Sequence, residues 1–230
     1  RQLLRRTNPV DVEEFINKLE KEDALLVFRL LAKEDAIEVF AELSREDKEK
    51  IKTGLNDVEF TDLLDELNLD DMVDTLEEMP ASIVQKILRN TDPEKRKLVN
   101  QYLKFPEYSA GTLMTTELVE VRANMSVKEA LKHIRKVGND KVTIYTCYVT
   151  DNTKKLLGYV SLRLIVTSPQ DTLISDLMYE DVITVKTLDD QEDVARTFQK
   201  YGFTALPVVD NTYRLVGIIL SLIHISEPTR

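Results

Sequence analysis

Leu31-Ala32-Lys33-Glu34-Asp35 and Leu43-Ser44-Arg45-Glu46-Asp47 are two copies of one pattern: a leucine, an acid three residues on, and an aspartate at four. Leu19-Glu20-Lys21-Glu22-Asp23 and Leu67-Asn68-Leu69-Asp70-Asp71 repeat it, so the leucines are 12, 12 and 24 residues apart. The copy that would begin at Leu55 fits only loosely, through Val58-Glu59. A 12-residue period is too short for a helix pair but suits one short helix and its turn. Two such units form a helix hairpin of about 24 residues, the scale of a small solenoid repeat. The junction chemistry agrees. Ser44 and Asn68 stand where N-caps belong, with Asp47 and Asp71 three residues later. Asn8-Pro9 and Asp92-Pro93 place proline at the first helical position. Apolar residues recur at three- and four-residue steps, as in Ile37, Phe40, Ala41 and in Leu63, Leu64, Leu67. Residues 8–103 therefore read as seven or eight short helices with no strand pattern.

Charge singles out the same region. Residues 34–78 hold 17 Asp/Glu against four Lys/Arg, namely Arg45, Lys48, Lys50 and Lys52. A folded surface this acidic repels itself and attracts cations. First-turn acids complement the helix dipole and cap exposed N–H groups, and solvated faces account for others. Neither role requires Glu38, Glu42, Asp62, Asp65, Asp74, Glu77 or Glu78, which fall in the middle or late parts of helices. Asp70 and Asp74 are four residues apart and share a helix face, a like-charged arrangement that costs a few tenths of a kcal/mol unless a cation lies between. They are a candidate metal position.

The whole chain, 230 residues with a formal charge of −10, has an ordinary globular composition, 43% hydrophobic and 31% charged. Residues 1–103 carry 25 acids and 16 bases, whereas 104–230 carry 16 and 15, an asymmetry that suggests two domains with different roles. The acidity argues against nucleic-acid binding, which needs clustered Lys/Arg. No apolar run is long enough to span a bilayer, and the basic start Arg1–Arg6 is not followed by the apolar core of a secretory signal. Cys147, the single cysteine, excludes an internal disulfide, fits a reducing compartment and reads as a buried structural thiol in the apolar run Ile144–Val149. His133 reads as a solvated surface residue, and His224 has no partner for a zinc site. No phosphate-binding glycine loop and no nucleophile–histidine constellation is present, so an enzyme is not expected.

The second half contains a duplication. Leu113-Met114 recurs as Leu177-Met178, Ser126-x-x-Glu129 as Asp189-x-x-Glu192, and Val149-Thr150-Asp151 as Val208-Val209-Asp210. Gly158 and Gly217 each follow the Asp of that last motif by seven residues. Each copy reads as strand (Leu118–Val121; Val182–Val185), helix (Val127–Val137; Glu192–Tyr201), strand (Ile144–Val149; Ala205–Val209), polar turn and strand (Leu157–Ser161; Leu215–Leu220).

This duplication resembles a pair of cystathionine-β-synthase (CBS) domains. The signature is Phe203-Thr204-Ala205-Leu206-Pro207-Val208-Val209-Asp210 followed by Leu215-Val216-Gly217-Ile218-Ile219. Ser109-Ala110-Gly111-Thr112-Leu113-Met114-Thr115, the acidic helical repeat before it and Asn68–Leu76 narrow the likeness to the cytosolic region of MgtE-type magnesium channels. The resemblance implies an α + α/β fold: an acidic helical superhelix over 1–103, a first CBS domain over 104–168 and an incomplete second one over 169–230. It implies that Mg2+ ions bind between acidic faces of the domains. Those faces close at high Mg2+ and separate at low Mg2+, gating a transmembrane pore that this chain lacks. It implies Glu38, Asp70, Asp74 and Glu192 as metal-contacting positions, with Gly111 contributing backbone near the metal. It further implies Arg163 and Phe203 beside a cleft for adenine nucleotides such as ATP, a homodimer formed through the CBS domains, and a place on the cytoplasmic face of the membrane. Without the comparison, Phe203 is a core aromatic and Arg163 a surface cation. Hydrated Mg2+ needs only one or two carboxylates per ion, so scattered acids suffice.

Three features depart from the family. Gly202 stands where relatives place an acidic ligand. Ser161-Leu162-Arg163-Leu164-Ile165 lacks the aspartate expected after Arg163, which would bind ribose, and this argues against ATP. The tail 220–230 does not match and reads as a truncation ending in foreign sequence, which would expose apolar surface around Leu206 and Ile218. Two other readings remain open: a nucleotide-responsive CBS regulatory module, and a scaffold presenting an acidic groove to a basic peptide.

Overall fold

The computed structural model describes residues 8–221, and the chain divides into two compact units between Leu103 and Lys104. In the first unit, eight helices start at one fixed interval: α1 (Pro9–Ile16), α2 (Lys21–Leu30), α3 (Lys33–Glu42), α4 (Arg45–Gly54), α5 (Asp57–Glu66), α6 (Leu69–Glu77), α7 (Ala81–Asn90) and α8 (Pro93–Tyr102). Every first helical residue lies 12 positions after the last. The loosely fitting copy is therefore a full member. Leu55 ends α4, and Asn56 caps α5 in a reciprocal capping box with Glu59. Asn8, Ser44 and Asp92 also accept first-turn N–H groups. Asn68 occupies its N-cap position without a side-chain cap bond, as do Glu20, Ala32 and Pro80.

The helices stack on their next-but-one neighbours, α1 on α3, α2 on α4 and α6 on α8, as a solenoid of hairpins does. Phe40, fully buried, takes Phe28 and Phe60 edge-on, each with ring centroids 6.2 Å away. Ile51, Leu64, Met72 and Leu76 complete the buried interior. Asp47 is buried at the start of α4. Burial pushes its carboxyl up, but hydrogen bonds from Lys50 and Ser44 outweigh this and hold it below the usual range. Lys95 reaches from α8 to donate to the carbonyls of Asp65 and Leu67 at 2.6 and 2.9 Å, closing the open end of α5.

The second unit opens with one helical turn, α9 (Ala110–Leu113), and then repeats a plan. Its first copy is β1 (Val119–Arg122), α10 (Val127–Val137), β2 (Thr146–Thr150), β3 (Leu156–Ser161) and α11 (Leu162–Thr167). The second is β4 (Val185–Lys186), α12 (Gln191–Tyr201), β5 (Ala205–Val209) and β6 (Leu215–Leu220). Each sheet has a parallel pair followed by an antiparallel one, with a register shift at the same place, after Val149 and after Val208. The hairpin turns meet as equivalents: Leu156 N–H donates to Tyr213 O and Leu215 N–H to Lys154 O. Lys154 and Tyr213 both have positive φ.

The copies exchange their lead-in segments. Thr115 pairs with Ile218 of the second sheet, and Tyr179 pairs with Tyr159 of the first. Glycine is required at both meeting points. A Cβ on Gly217 would lie 2.8 Å from Thr115 O, and one on Gly158 would lie 2.6 Å from Tyr179 O.

Several expectations are corrected. The strand expected at Val182–Val185 pairs only over β4, because residues 181–184 adopt no strand hydrogen bonding. The cap of α12 is Asp190, not Asp189, whose carboxylate instead accepts the Lys186 N–H. Leu206 and Ile218 are fully buried, not exposed; Leu206 lies on the central strand β5, and the exchanged segment at Thr115 pairs along β6 at Ile218. His133 is half-buried. Cys147 is fully buried and its thiol is pushed up to about 12 by burial, as a structural thiol requires. His224 and most of the tail lie outside the described residues.

Candidate functional site

In the helical unit, α6 gathers the acids. Asp70, Asp71 and Asp74 lie on adjacent turns, and its end carries Glu77 and Glu78. Asp70 and Asp71 are half-buried, with Asp70 Oδ1 fully covered. Burial pushes the Asp71 carboxyl up to about 6; Asp70 adds to the rise, as do Asp74 and Glu42, while Lys48 opposes it. Asp74 is also pushed up to about 6, by desolvation first and then by Glu77 and Asp70, again opposed by Lys48. Asp74 stays exposed as a residue, which softens the desolvation part. These carboxylates resist ionising together, and a cation at the cluster relieves the repulsion. Among the described residues, no group of three or more His, Cys, Asp or Glu could hold a metal alone. An ion at this cluster would have one or two carboxylates and water as its ligands, not a dehydrated cage.

Glu38 lies exposed on α3; the α3 acid whose field reaches Asp71 is Glu42. Sequence reading passed over Asp71 because an acid three residues past an N-cap looks like a capping acid. Burial beside Glu42 and Lys48 of the preceding helices, which no local pattern reports, makes it part of the cluster.

In the second unit, Gly111 and Glu192 meet at one junction. Ala110 and Gly111 N–H groups donate to Asp189 O and Thr187 O, and Gln191 N–H donates to Tyr108 O. This docks the lead-in segment beside the start of α12. Gly111 is buried against Phe105. The Glu192 carboxylate takes a 3.0 Å bond from Arg196, which also holds Asp193 at 2.8 Å. A metal at Glu192 must displace or share with that guanidinium. Gly202 ends α12 with φ of 64° and donates its N–H to Phe198 O. The left-handed conformation explains glycine where an acid was expected, because a Cβ there costs about 1 kcal/mol.

A cavity of about 300 Å3 opens between the two copies, lined by Tyr148, Tyr159, Asp181, Phe203 and Pro207 among others. Phe203 is half-buried and stacks on Tyr201 at 5.4 Å. Arg163 is exposed at the start of α11 and is not part of this wall. Phe203 and Arg163 therefore do not converge on one cavity.

The MgtE intracellular N domain family matches residues 7–108, and the CBS domain family matches 110–170 and 174–221. The magnesium transporter MgtE of Thermus thermophilus is 41% identical over 156 residues, 66% of this chain and 34% of that protein. MgtE of Bacillus subtilis is 30% identical over 68% of this chain and 35% of its own length. The chain spans about a third of the length of these curated relatives. Among solved structures, the cytosolic domain of the Mg2+ channel MgtE in complex with ATP superposes with a TM-score of 0.87 at 37% identity, covering 95% of this chain and 90% of that one. The soluble part of a magnesium transporter gives 0.90 at 30% identity, covering 96% and 87%.

Proposed function

Because this chain belongs to the MgtE family, as its helical N domain followed by a CBS pair, we propose that it is the Mg2+-sensing region that gates a magnesium transporter. The observation that carries this reading is the α6 cluster, in which Asp70, Asp71, Asp74, Glu77 and Glu78 crowd one helix and its end, and Asp71 and Asp74 are pushed up to about 6, first by burial and then by like charges. At low Mg2+ the acidic faces repel. At high Mg2+ hydrated ions neutralise them, and the closed arrangement holds the pore shut. Asp70 and Asp74, with Glu38, supply carboxylates from the helical unit. Glu192 and the backbone at Gly111 supply the CBS side. A homodimer through the CBS pair would present two such faces to one pore.

The test is a Mg2+ titration at constant ionic strength, following melting temperature and radius of gyration. At tenfold Kd, linkage stabilises the folded state by about 1.4 kcal/mol, a rise of roughly 3–5 °C for a chain of this size. The molecule should also compact, and Asp70→Asn with Asp74→Asn should remove most of both effects. A shape and melting curve indifferent to Mg2+ would end the reading.

A second reading has one observation in its favour: the cavity beside Phe203, in a chain resembling a structure solved in complex with ATP. ATP would place its base against Phe203. Calorimetry with ATP, with and without Mg2+, decides it, and loss of binding in Phe203→Ala would locate the site.

A further inference from the structure

Of the four bases in the acidic stretch 34–78, all on α4, two are held in ion pairs and two are not. Lys50 pairs with Asp47 at 2.8 Å and Glu46 at 3.2 Å, and Lys52 pairs with Glu49 at 3.1 Å. Arg45 makes no ion pair or hydrogen bond among the described residues. Lys48 has only the ring of Phe40, 5.9 Å away, and the more distant fields of Asp71 and Asp74. Cations whose task was to quieten the acidic surface would be paired here, where acids outnumber them fourfold. Arg45 and Lys48 instead line one cavity of about 270 Å3 with Lys52.

The rest of that cavity is mostly apolar. Phe40 and Phe60 line it together with Thr75 and with Met79, Pro80 and Ile83 around the start of α7. Glu49 and Glu78 also reach it, but Glu49 is already held by Lys52. A second hollow of about 150 Å3 continues past Lys52, Phe60 and Ile83 toward Lys86 and Asn90. An apolar cavity of about 150 Å3 suffices for a benzene ring, so the first has room for a ring and an anionic head. Guanidinium offers a flat fork of donors that suits phosphate or carboxylate oxygens.

We propose that this cavity binds a small organic anion, a phosphate or carboxylate joined to a flat apolar body. Arg45 and Lys48 take the charge, and Met79, Pro80 and Ile83, with the edge of Phe60, take the body. The site lies wholly within the helical unit and needs no metal.

The experiment is isothermal titration calorimetry on the full chain in EDTA, so that its outcome is independent of Mg2+ sensing. The probes are phenyl phosphate, inorganic phosphate, and a glutamate-rich peptide. Phenyl phosphate is expected to bind more tightly than inorganic phosphate. Arg45→Gln and Lys48→Gln should each weaken it about tenfold, the loss of one hydrogen bond to a charged group. Arg45 is exposed and Lys48 half-buried near the start of α4, and an unchanged melting temperature shows that the variants fold. Lys155→Gln, in the other unit, should leave binding unaltered. Three results overturn the proposal: no phenyl phosphate binding at millimolar concentration, equal affinity for inorganic phosphate, or binding unchanged in the Arg45/Lys48 double variant. Binding of the peptide alone would overturn it in favour of a protein partner.

Discussion

Asp71 shows how a single carboxyl acquires its task from its surroundings. Its folded value, about 6, stands above the ordinary 3.8, so the folded chain holds that proton more tightly than the unfolded chain does. Stability from this source is full below about pH 4 and is lost as pH rises through 6. Asp74 behaves in the same way. Asp47, Glu66, Asp151 and Asp210 are held low and act in the opposite sense, losing their contribution as pH falls below the ordinary carboxylate range. The two windows hardly overlap. In EDTA, Asp71→Asn should therefore raise stability at pH 7 by about 1–2 kcal/mol after allowance for its partial exposure. It should also flatten the melting-temperature slope between pH 4 and 6. A variant that melts lower at pH 7, with the slope intact, would show that the carboxylate is satisfied as an anion.

At the scale of elements, the helical unit is a sequence of equal steps, and its caps differ in strength. Asn56 satisfies two first-turn N–H groups while Glu59 reaches back to the Asn56 N–H. Asn56→Ala should cost about 1 kcal/mol, and Ala32→Ser, supplying a cap where there is none, should return a comparable fraction. Chemical denaturation at fixed pH reads both. Equal destabilisation by the two would mean that the junction tolerates only its present residues. The same contrast explains what was legible in the sequence. Ser44, Asn8-Pro9 and Asp92-Pro93 announce helix starts by residue type. Ala32, Glu20 and Pro80 sit at the same phase without doing so; the leucine spacing shows the 12-residue period over 19–71, and only the helices extend it evenly to all eight. The strands of the CBS pair were readable from their apolar runs, except β4, whose pairing is too short to leave an alternation. The crossing of the lead-in segments left no local trace, because it is made by backbone bonds between residues about a hundred positions apart at Thr115 and Ile218.

For the whole molecule, that crossing decides what can fold alone. Residues 104–168 without the rest would lose the Tyr179 partner of β3 and leave Met114 and Thr115 without the sheet they cover. Such a fragment should give a broad, non-cooperative melt and bind a hydrophobic dye, whereas 104–221 should melt in one transition. A sharp transition in the short fragment would show that the exchange is ornamental. The even pace of the first unit has a different consequence. Two residues separate most consecutive helices, leaving no slack to absorb a stray insertion, yet removal of any hairpin of 24 residues would bring the next helix to the same angular position as the one lost. Such a chain can change length over evolutionary time only by whole rungs, and any lineage that did so would keep its remaining faces in phase while altering how much negative surface it carries.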